Sequence, residues 1–461
     1  MSKADFVTGA FAFAVVLGGA GIAATVVVGR RRAADLAGVP WLVAWLTVAA
    51  GFVFVAHMLP GIVGGLSSAS VVATTVMLVA LSTLVPERLA RPAPAPAPRP
   101  AVEPRWVLWV GLGAVGVVAA YVVGWVLVHA EEALAQPDVV SFHLPNLVAW
   151  IKEGSVWGIH DWIPNRAPGN YPQTGDVYML AAMLPWESDF LVRFVGLPFL
   201  GLAGLATYAA GRELGAPVGV SSLTAAALLA MPAVTYIALQ GLADPEMLGT
   251  FAAGGFFLLR HWRTRDGFDL VLAGIGLGLS FGTRWYAVVA VAAVVGVWGI
   301  ASLARKRPGV WRDGCVLVGL VALLGCFWLL RNWIESGNPV FPVKVAPFGI
   351  TIFDAPPDTY RELHGATLAH YLTDYEAVRI NIWPRFLDFM SFTAVLLWVG
   401  IALAALRAFH RREPLWGHIL ALAGIAAVVG IVYIGTPYTG AGPDARDAYT
   451  NSRYVVPALV C

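Results

Sequence analysis

The chain has 461 residues, 58% of them hydrophobic and only 13% charged. A soluble domain carries roughly 25% charge, so an ordinary cytosolic globule is excluded. The net charge of +2 is too small to suggest a nucleic-acid partner.

The apolar residues fall in long runs, and a spanning helix needs about 20 of them. About twelve candidate spans follow in chain order. They are Phe6–Val28, Trp41–Leu59, Ile62–Val85, Trp106–His129, Asp189–Ala210, Val218–Leu239, Met247–Arg260, Leu270–Gly282, Trp285–Leu303, Val316–Leu330, Phe389–Leu406 and Leu415–Ile434. A further run begins at Arg453-Tyr454 and the sequence stops inside it, so the C-terminus reads as incomplete. Every odd-numbered span ends at a basic loop. Examples are Arg30-Arg31-Arg32 after the first, Arg260, Arg263 and Arg265 after the seventh, and Arg305, Lys306 and Arg307 after the ninth. By the positive-inside bias these loops are cytoplasmic and the N-terminus is outside. The expected class is an all-α polytopic protein of the cell membrane, with extracytoplasmic loops and interfacial helices. Cys315 and Cys326 lie in one apolar run and are expected to be reduced and packed.

Residues 86–105 hold alternating Pro and Ala between Arg91 and Arg99 and read as an extended cytoplasmic linker. They divide residues 1–85, an expected accessory module of three spans, from residues 106–461, an expected catalytic domain. In the module His57 reads as an interfacial histidine near the outer end of its span, beside Pro60.

Three long polar segments follow on the outer side: Ala130–Ser188, Arg331–Asp388 and Gly435–Arg453. Loops of this length with interleaved aromatics point to ordered, functional structure. The first contains Gln136-Pro137-Asp138, then Phe142-His143-Leu144-Pro145. Apolar residues at Leu147, Val148, Trp150 and Ile151 then predict a short interfacial helix. Next come Asn170-Tyr171-Pro172 and Gly175-Asp176, followed by the apolar run Val177–Trp186. That run is too short to span and reads as interfacial or re-entrant. Gly274, Gly278 and Gly282 recur every four residues and predict a close-packing helix face.

In this order the motifs resemble the GT-C superfamily of integral-membrane glycosyltransferases, in the bacterial branch of protein O-mannosyltransferases and aminoarabinose transferases. The resemblance runs from about Trp106 to Cys461. It rests on Asp138-x3-Phe142-His143-x-Pro145, on Tyr171-Pro172, on Asp189-x3-Arg193, and on Asp244-Pro245-Glu246. Further on, Gly278-Leu279 followed by Thr283-Arg284 fits, as do Arg331-Asn332, Gly337-Asn338-Pro339 and Arg453-Tyr454-x2-Pro457. It departs from the family's pattern in lacking an Asp-x-Asp pair in the first outer loop. Only Glu131-Glu132 and the isolated Asp138 stand there.

The resemblance implies transfer of a sugar from a polyprenyl-phosphate donor to an extracytoplasmic glycan, lipid or protein acceptor, with inversion. Such chemistry needs a carboxylate to take the acceptor proton and fixed cations to meet the leaving phosphate. Asp138 is the expected base, its other reading being a helix N-cap. Arg284, Arg331 and Arg453 are candidates for the donor phosphate, as is His143, or else they snorkel to lipid headgroups. Glu131, Glu132, Tyr171, Asp244 and Glu246 are candidates for acceptor binding or support. A divalent cation such as Mg²⁺ or Mn²⁺ is an open possibility, and the metal ligands are unknown. A secondary transporter and a non-catalytic subunit that binds polyprenyl lipid are the rival readings.

Overall fold

The computed structural model describes residues 2–31, 36–87, 101–160, 162, 171–411, 416–442, 445–446 and 448–460. The Pro/Ala repeat between Arg91 and Arg99 lies outside the described residues. Among those described, the chain is helical, with one isolated β-bridge between Val345 and Phe353.

The N-terminal helices are α1 (Lys3–Arg31), α2 (Val39–Ile62) and α3 (Ser68–Ser82), followed by α4 (Arg105–His129), α5 (Leu144–Glu153) and α6 (Thr174–Met183). The middle of the chain forms α7 (Gly196–Glu213), α8 (Val218–Leu229), α9 (Pro232–Ala238), α10 (Asp244–Thr264), α11 (Gly267–Phe281), α12 (Trp285–Ala304), α13 (Val310–Gly325) and α14 (Phe327–Ser336). Three short helices follow, α15 (Thr359–His364), α16 (Leu368–Tyr371) and α17 (Tyr375–Ala377). The chain then forms α18 (Trp383–Arg411), α19 (Trp416–Gly435) and α20 (Val456–Leu459).

Among the described residues, seven helices are long and apolar enough to cross a membrane, or nine if each bent pair forms one span. The bent pairs are α8 with α9, at 65°, and α13 with α14, at 55°. Pro232 explains the first bend, since it can donate no hydrogen bond back into α8. The remaining sequence-read spans are helical as well: α3 and α11, each of 15 residues, and α10, of 21. This is an all-α polytopic membrane protein. Its peripheral helix α4 leaves Trp106, Trp109, Val117 and Leu127 largely exposed, as a lipid-facing helix does.

Helix α10 runs through the centre and buries most of its length. It meets α11 backbone to backbone. A Cβ on Gly276 would stand 2.7 Å from the carbonyl oxygen of Thr250, and one on Gly254 would stand 2.7 Å from the nitrogen of Leu277. The expected packing face is also present: Gly274 and Gly278 press against Leu320 and Leu324 of α13.

The first three helices share one hydrophobic core with the rest of the chain. The Tyr178 hydroxyl donates to the carbonyl of Ala50, and Trp186 packs against Phe6 and Phe13. His57 packs within this core. It is 2% exposed and its Nδ1 bonds the carbonyl of Val53, because α2 lies inside the assembly rather than at its rim. Cys315 is exposed rather than packed, on the outer face of α13, and both Cys315 and Cys326 are free thiols.

Helix α6 is the re-entrant candidate, and all ten of its residues are buried. An interfacial helix keeps one face wet, so that reading of Val177–Trp186 gives way to an interior one. Contacts at the two ends of the bundle fix which helix ends lie together. Arg30 donates to the carbonyls of Thr83 and Val85, joining the ends of α1 and α3. Arg263 pairs with Glu213, and Arg307 sits 3.5 Å over the Trp262 ring, joining the ends of α7, α10 and α12. These contacts bring together the basic ends of α1 and α3, and separately those of α7, α10 and α12.

Candidate active site

The opposite end holds the cluster of interest, supplied by four stretches of chain. Helix α4 delivers the Asp138 segment, α10 begins at Asp244, Arg284 precedes α12, and Arg453 follows α19. A π-helical turn spans Val139–His143 and runs into α5. On a regular α-helix two residues five apart point about 140° away from each other. The i to i+5 winding of the π turn brings Asp138 and His143 to one side instead.

Asp138 makes no capping hydrogen bond to the helix behind it. Its Oδ2 instead accepts from the Arg453 guanidinium at 3.0 Å, with 25% of the Asp138 side chain exposed. The N-cap reading is thereby replaced by an ion pair. Burial pushes the Asp138 pKa up, but the Arg453 and Arg284 guanidiniums outweigh it and hold the carboxyl below its usual range. The group is ionised at neutral pH.

Asp244 is the hub. Its Oδ2 accepts from Arg284 at 3.1 Å, and its Oδ1 lies 3.3 Å from Arg453 and accepts the Tyr286 hydroxyl at 2.5 Å. One carboxylate thus holds two guanidiniums side by side, offsetting their mutual repulsion. Arg284 also donates to Nε2 of His143 at 3.1 Å. A guanidinium has donors only, so Nε2 is the accepting nitrogen and Nδ1 carries the hydrogen. That hydrogen points to Oδ1 of Asp176, 2.7 Å away. Asp176 is 1% exposed and its Oδ2 has no hydrogen-bond partner among the described residues. Beneath lies Glu246, 1% exposed, with neither carboxylate oxygen hydrogen-bonded.

Five sequence-predicted residues are therefore joined directly: Asp138, His143, Asp244, Arg284 and Arg453. Glu246 is two residues, about half a turn, further along α10 than Asp244. Arg331 is buried but donates to amide oxygens, those of Gln173 at 2.6 Å and Asn332 at 3.0 Å, and stacks over Trp328. It braces the start of α6, whose Thr174 accepts from the Trp328 indole at 3.0 Å and donates to the carbonyl of Gly282 at 2.8 Å. Arg193 likewise serves the backbone, bonding the carbonyls of Leu239 and Glu132. Glu131 and Glu132 are exposed at the end of α4, and Tyr171 is half-buried ahead of α6.

Two participants escaped the sequence reading. Asp176 was visible only as an acid after Gly175, and nothing local distinguishes it from a solvated turn residue. Tyr286 stands two residues beyond Arg284, and that proximity is its only signal.

The contacts also settle the parity of crossings. Asp138 and Asp244 both touch Arg453, so they lie on one side. Between them α7 and the bent pair α8–α9 cross and return. Counting α6 as a full crossing would separate two residues that share a partner.

Among the described residues no three His, Cys, Asp or Glu side chains are grouped to hold a metal ion. Asp138, Asp176 and Asp244 are each engaged by Arg, His or Tyr donors, while both oxygens of Glu246 have no hydrogen-bond partner among the described residues.

No family model matches the chain, and no curated protein matches it either. One similar solved structure is the crystal structure of ArnT from Cupriavidus metallidurans bound to undecaprenyl phosphate. The identity is 16% and the TM-score 0.44. The match covers 77% of this chain and 59% of that chain's length.

Proposed function

We propose that the chain is a glycosyltransferase that moves a sugar from a polyprenyl-phosphate donor to an acceptor on the extracytoplasmic face, with inversion. The observation that carries this reading is the pair of arginines gripped by Asp244, with the ionised Asp138 at the far side of one of them. Two adjacent guanidinium forks match the oxygens of a phosphate monoanion or diester. The basic loops lie at the other end of the bundle. By the positive-inside bias they are cytoplasmic, and the cluster faces outward.

In this mechanism the donor phosphate takes up guanidinium contacts from Arg284 and Arg453, releasing Asp138. The acceptor hydroxyl attacks the anomeric carbon and its proton passes to the Asp138 carboxylate. The bond from the anomeric carbon to the phosphate oxygen breaks, and the electron pair leaves with the polyprenyl phosphate. Fixed cations stabilise the charge growing on that oxygen. The leaving phosphate is already acidic and requires no proton donor. A single displacement inverts the anomeric centre. His143 acts on Arg284, orienting it through the Asp176 contact.

The test is transfer by the purified chain from a synthetic polyprenyl-phosphate sugar, with Asp138→Asn as the control. Loss of transfer with retained donor binding supports the reading. Undiminished transfer by Asp138→Asn overturns Asp138 as the base. Substrate movement across sealed vesicles without glycoside formation would favour a transporter.

A further inference from the structure

The segment after α14 carries a feature that the proposed chemistry does not use. Residues 345–353 read Val-Ala-Pro-Phe-Gly-Ile-Thr-Ile-Phe, a run without a charge. Lys344 and Asp354 flank the run and pair with each other at 3.0 Å. Just inside that pair, Val345 and Phe353 form the isolated β-bridge, the Val345 N–H donating to the Phe353 carbonyl at 2.9 Å. The segment is therefore a short hairpin with Pro347-Phe348-Gly349 at its tip.

The large side chains of the tip face away from the protein. Phe348 is fully exposed, and Ile350 and Ile352 are 70% and 58% exposed. Phe348 also has φ 53° and ψ 27°, a left-handed conformation that a bulky residue adopts only at a steric cost. With its side chain wholly exposed, packing against the protein does not offset that cost. The backbone of the tip asks little of water. Pro347 has no N–H, and those of Gly349 and Ile350 bond the carbonyls of Ala346 and Pro347 at 3.2 and 3.0 Å.

What covers the tip follows from where the hairpin is rooted. Helices α13 and α14 are the pair bent by 55°, together apolar enough to cross a membrane. Along them Val318, Leu323, Leu330, Trp333 and Ile334 are exposed, the lipid-facing surface of that span. The other face of α14 buries Trp328, Arg331 and Asn332, and Arg331 reaches Gln173, three residues before Asp176. The outer end of α14 therefore lies at the end of the bundle that carries the candidate site. Asn332 donates to the carbonyl of Phe341 at 3.1 Å, and Asn338 to those of Val343 and Asp354, both at 3.0 Å. These bonds fix the hairpin to a span whose exposed face is already apolar. The tip stands three residues past the bridge, about 10 Å of strand. Segments lying in a membrane interface enter it by about 5–10 Å. We propose that the hairpin inserts Phe348, Ile350 and Ile352 into the headgroup–acyl boundary of the outer leaflet and anchors the outer end of α14 there. The Lys344–Asp354 pair stays at headgroup level. This anchor is independent of the transfer reaction.

The experiment places an environment-sensitive NBD label on Phe348→Cys in the full chain, with Cys315, Cys326 and Cys461 replaced by serine. The chain is reconstituted singly in nanodiscs of phosphatidylcholine and phosphatidylglycerol, which excludes a second copy as the cover. The label's emission should shift to the blue, be quenched by lipids brominated near the ester end of the acyl chain, and be shielded from aqueous iodide. A label on Ile350→Cys should respond in the same way. Adding Ile350→Asp to the chain labelled at position 348 should reverse the pattern, because a carboxylate is costly below the headgroups. Quenching by iodide in the chain without that aspartate would show a tip in water, open to a soluble partner, and would overturn the proposal. Shielding from both quenchers would show a tip packed on the protein as a lid, and would overturn it equally. Bromolipid quenching that Ile350→Asp leaves unchanged would mean that the label alone enters the lipid, which also overturns it.

Discussion

The two ends of the bundle both bury ion pairs, but they balance charge differently. At the basic end two buried acids each have a cation of their own. Arg260 donates to Asp269 at 3.0 Å, Arg263 pairs with Glu213, and Asp269 gains a further bond from Thr264 at 2.6 Å. At the opposite end, acids outnumber arginines and share them. Among the described residues Asp138 and Asp244 share Arg453, Asp244 also holds Arg284, and His143 links Arg284 to Asp176. Several atoms there remain unbonded, including both oxygens of Glu246 and Nε of Arg284. A one-to-one pair that is fully bonded holds helices together and offers little to a ligand. A shared and incompletely bonded network is one that an incoming anion can rearrange.

The largest expected contrast is in activity. Asp138→Asn should lower transfer by about 10²–10⁴-fold, the usual contribution of a general base, with expression and helical content unchanged. Next is Arg260→Ala, which strands Asp269 in the interior and should cost roughly 3–5 kcal/mol of stability. A thermal shift in a fixed detergent measures it, and donor binding per folded molecule should be preserved. Arg453→Ala should do the reverse: a weaker donor complex by about tenfold or more, with a smaller stability loss, because Arg284 still faces Asp244. A larger stability cost for Arg453→Ala than for Arg260→Ala would erase the distinction drawn here.

The pH dependence sharpens it further. The Asp138 carboxyl titrates below the ordinary value of 3.8. Its ion pair therefore contributes fully above that value and is lost as the pH falls through the lower, folded-state value. Acid unfolding followed by circular dichroism should be less steep for Asp138→Asn over that interval. The smallest effect is expected from Tyr286→Phe. It removes one of the donors on Asp244 and should cost about 1 kcal/mol, with only a slight change in donor affinity.

Much of this could be read from the sequence because membrane spans obey a simple rule. Apolar run length and the basic loops gave the helices and their alternation, and even the short run Met247–Arg260 lies within one helix. The motifs Asp138-x4-His143, Asp244-Pro245, Thr283-Arg284 and Arg453 also led to residues that meet in space. What escaped was decided by tertiary contact. Nothing near Asp176 shows that α6 is an interior helix, since amphipathicity is absent when every face is buried. Nothing near Arg331 shows that its partners are amides. The placement of α2 against α6, which buries His57, depends on packing between segments more than a hundred residues apart.

The contact of α10 with α11 at Gly254 and Gly276 has a mechanical meaning. Gly254 is ten residues from Asp244, about 15 Å along α10. On the adjoining helix, Gly276 is eight residues from Arg284. The crossing is a fulcrum with two arms, and the carboxylate and the guanidinium sit at their tips. A Cβ on either glycine would stand 2.7 Å from the backbone of the other helix, so the two helices could not keep this approach. The absence of two side chains thus lets the helix that begins at Asp244 and the one that leads to Arg284 meet at backbone distance.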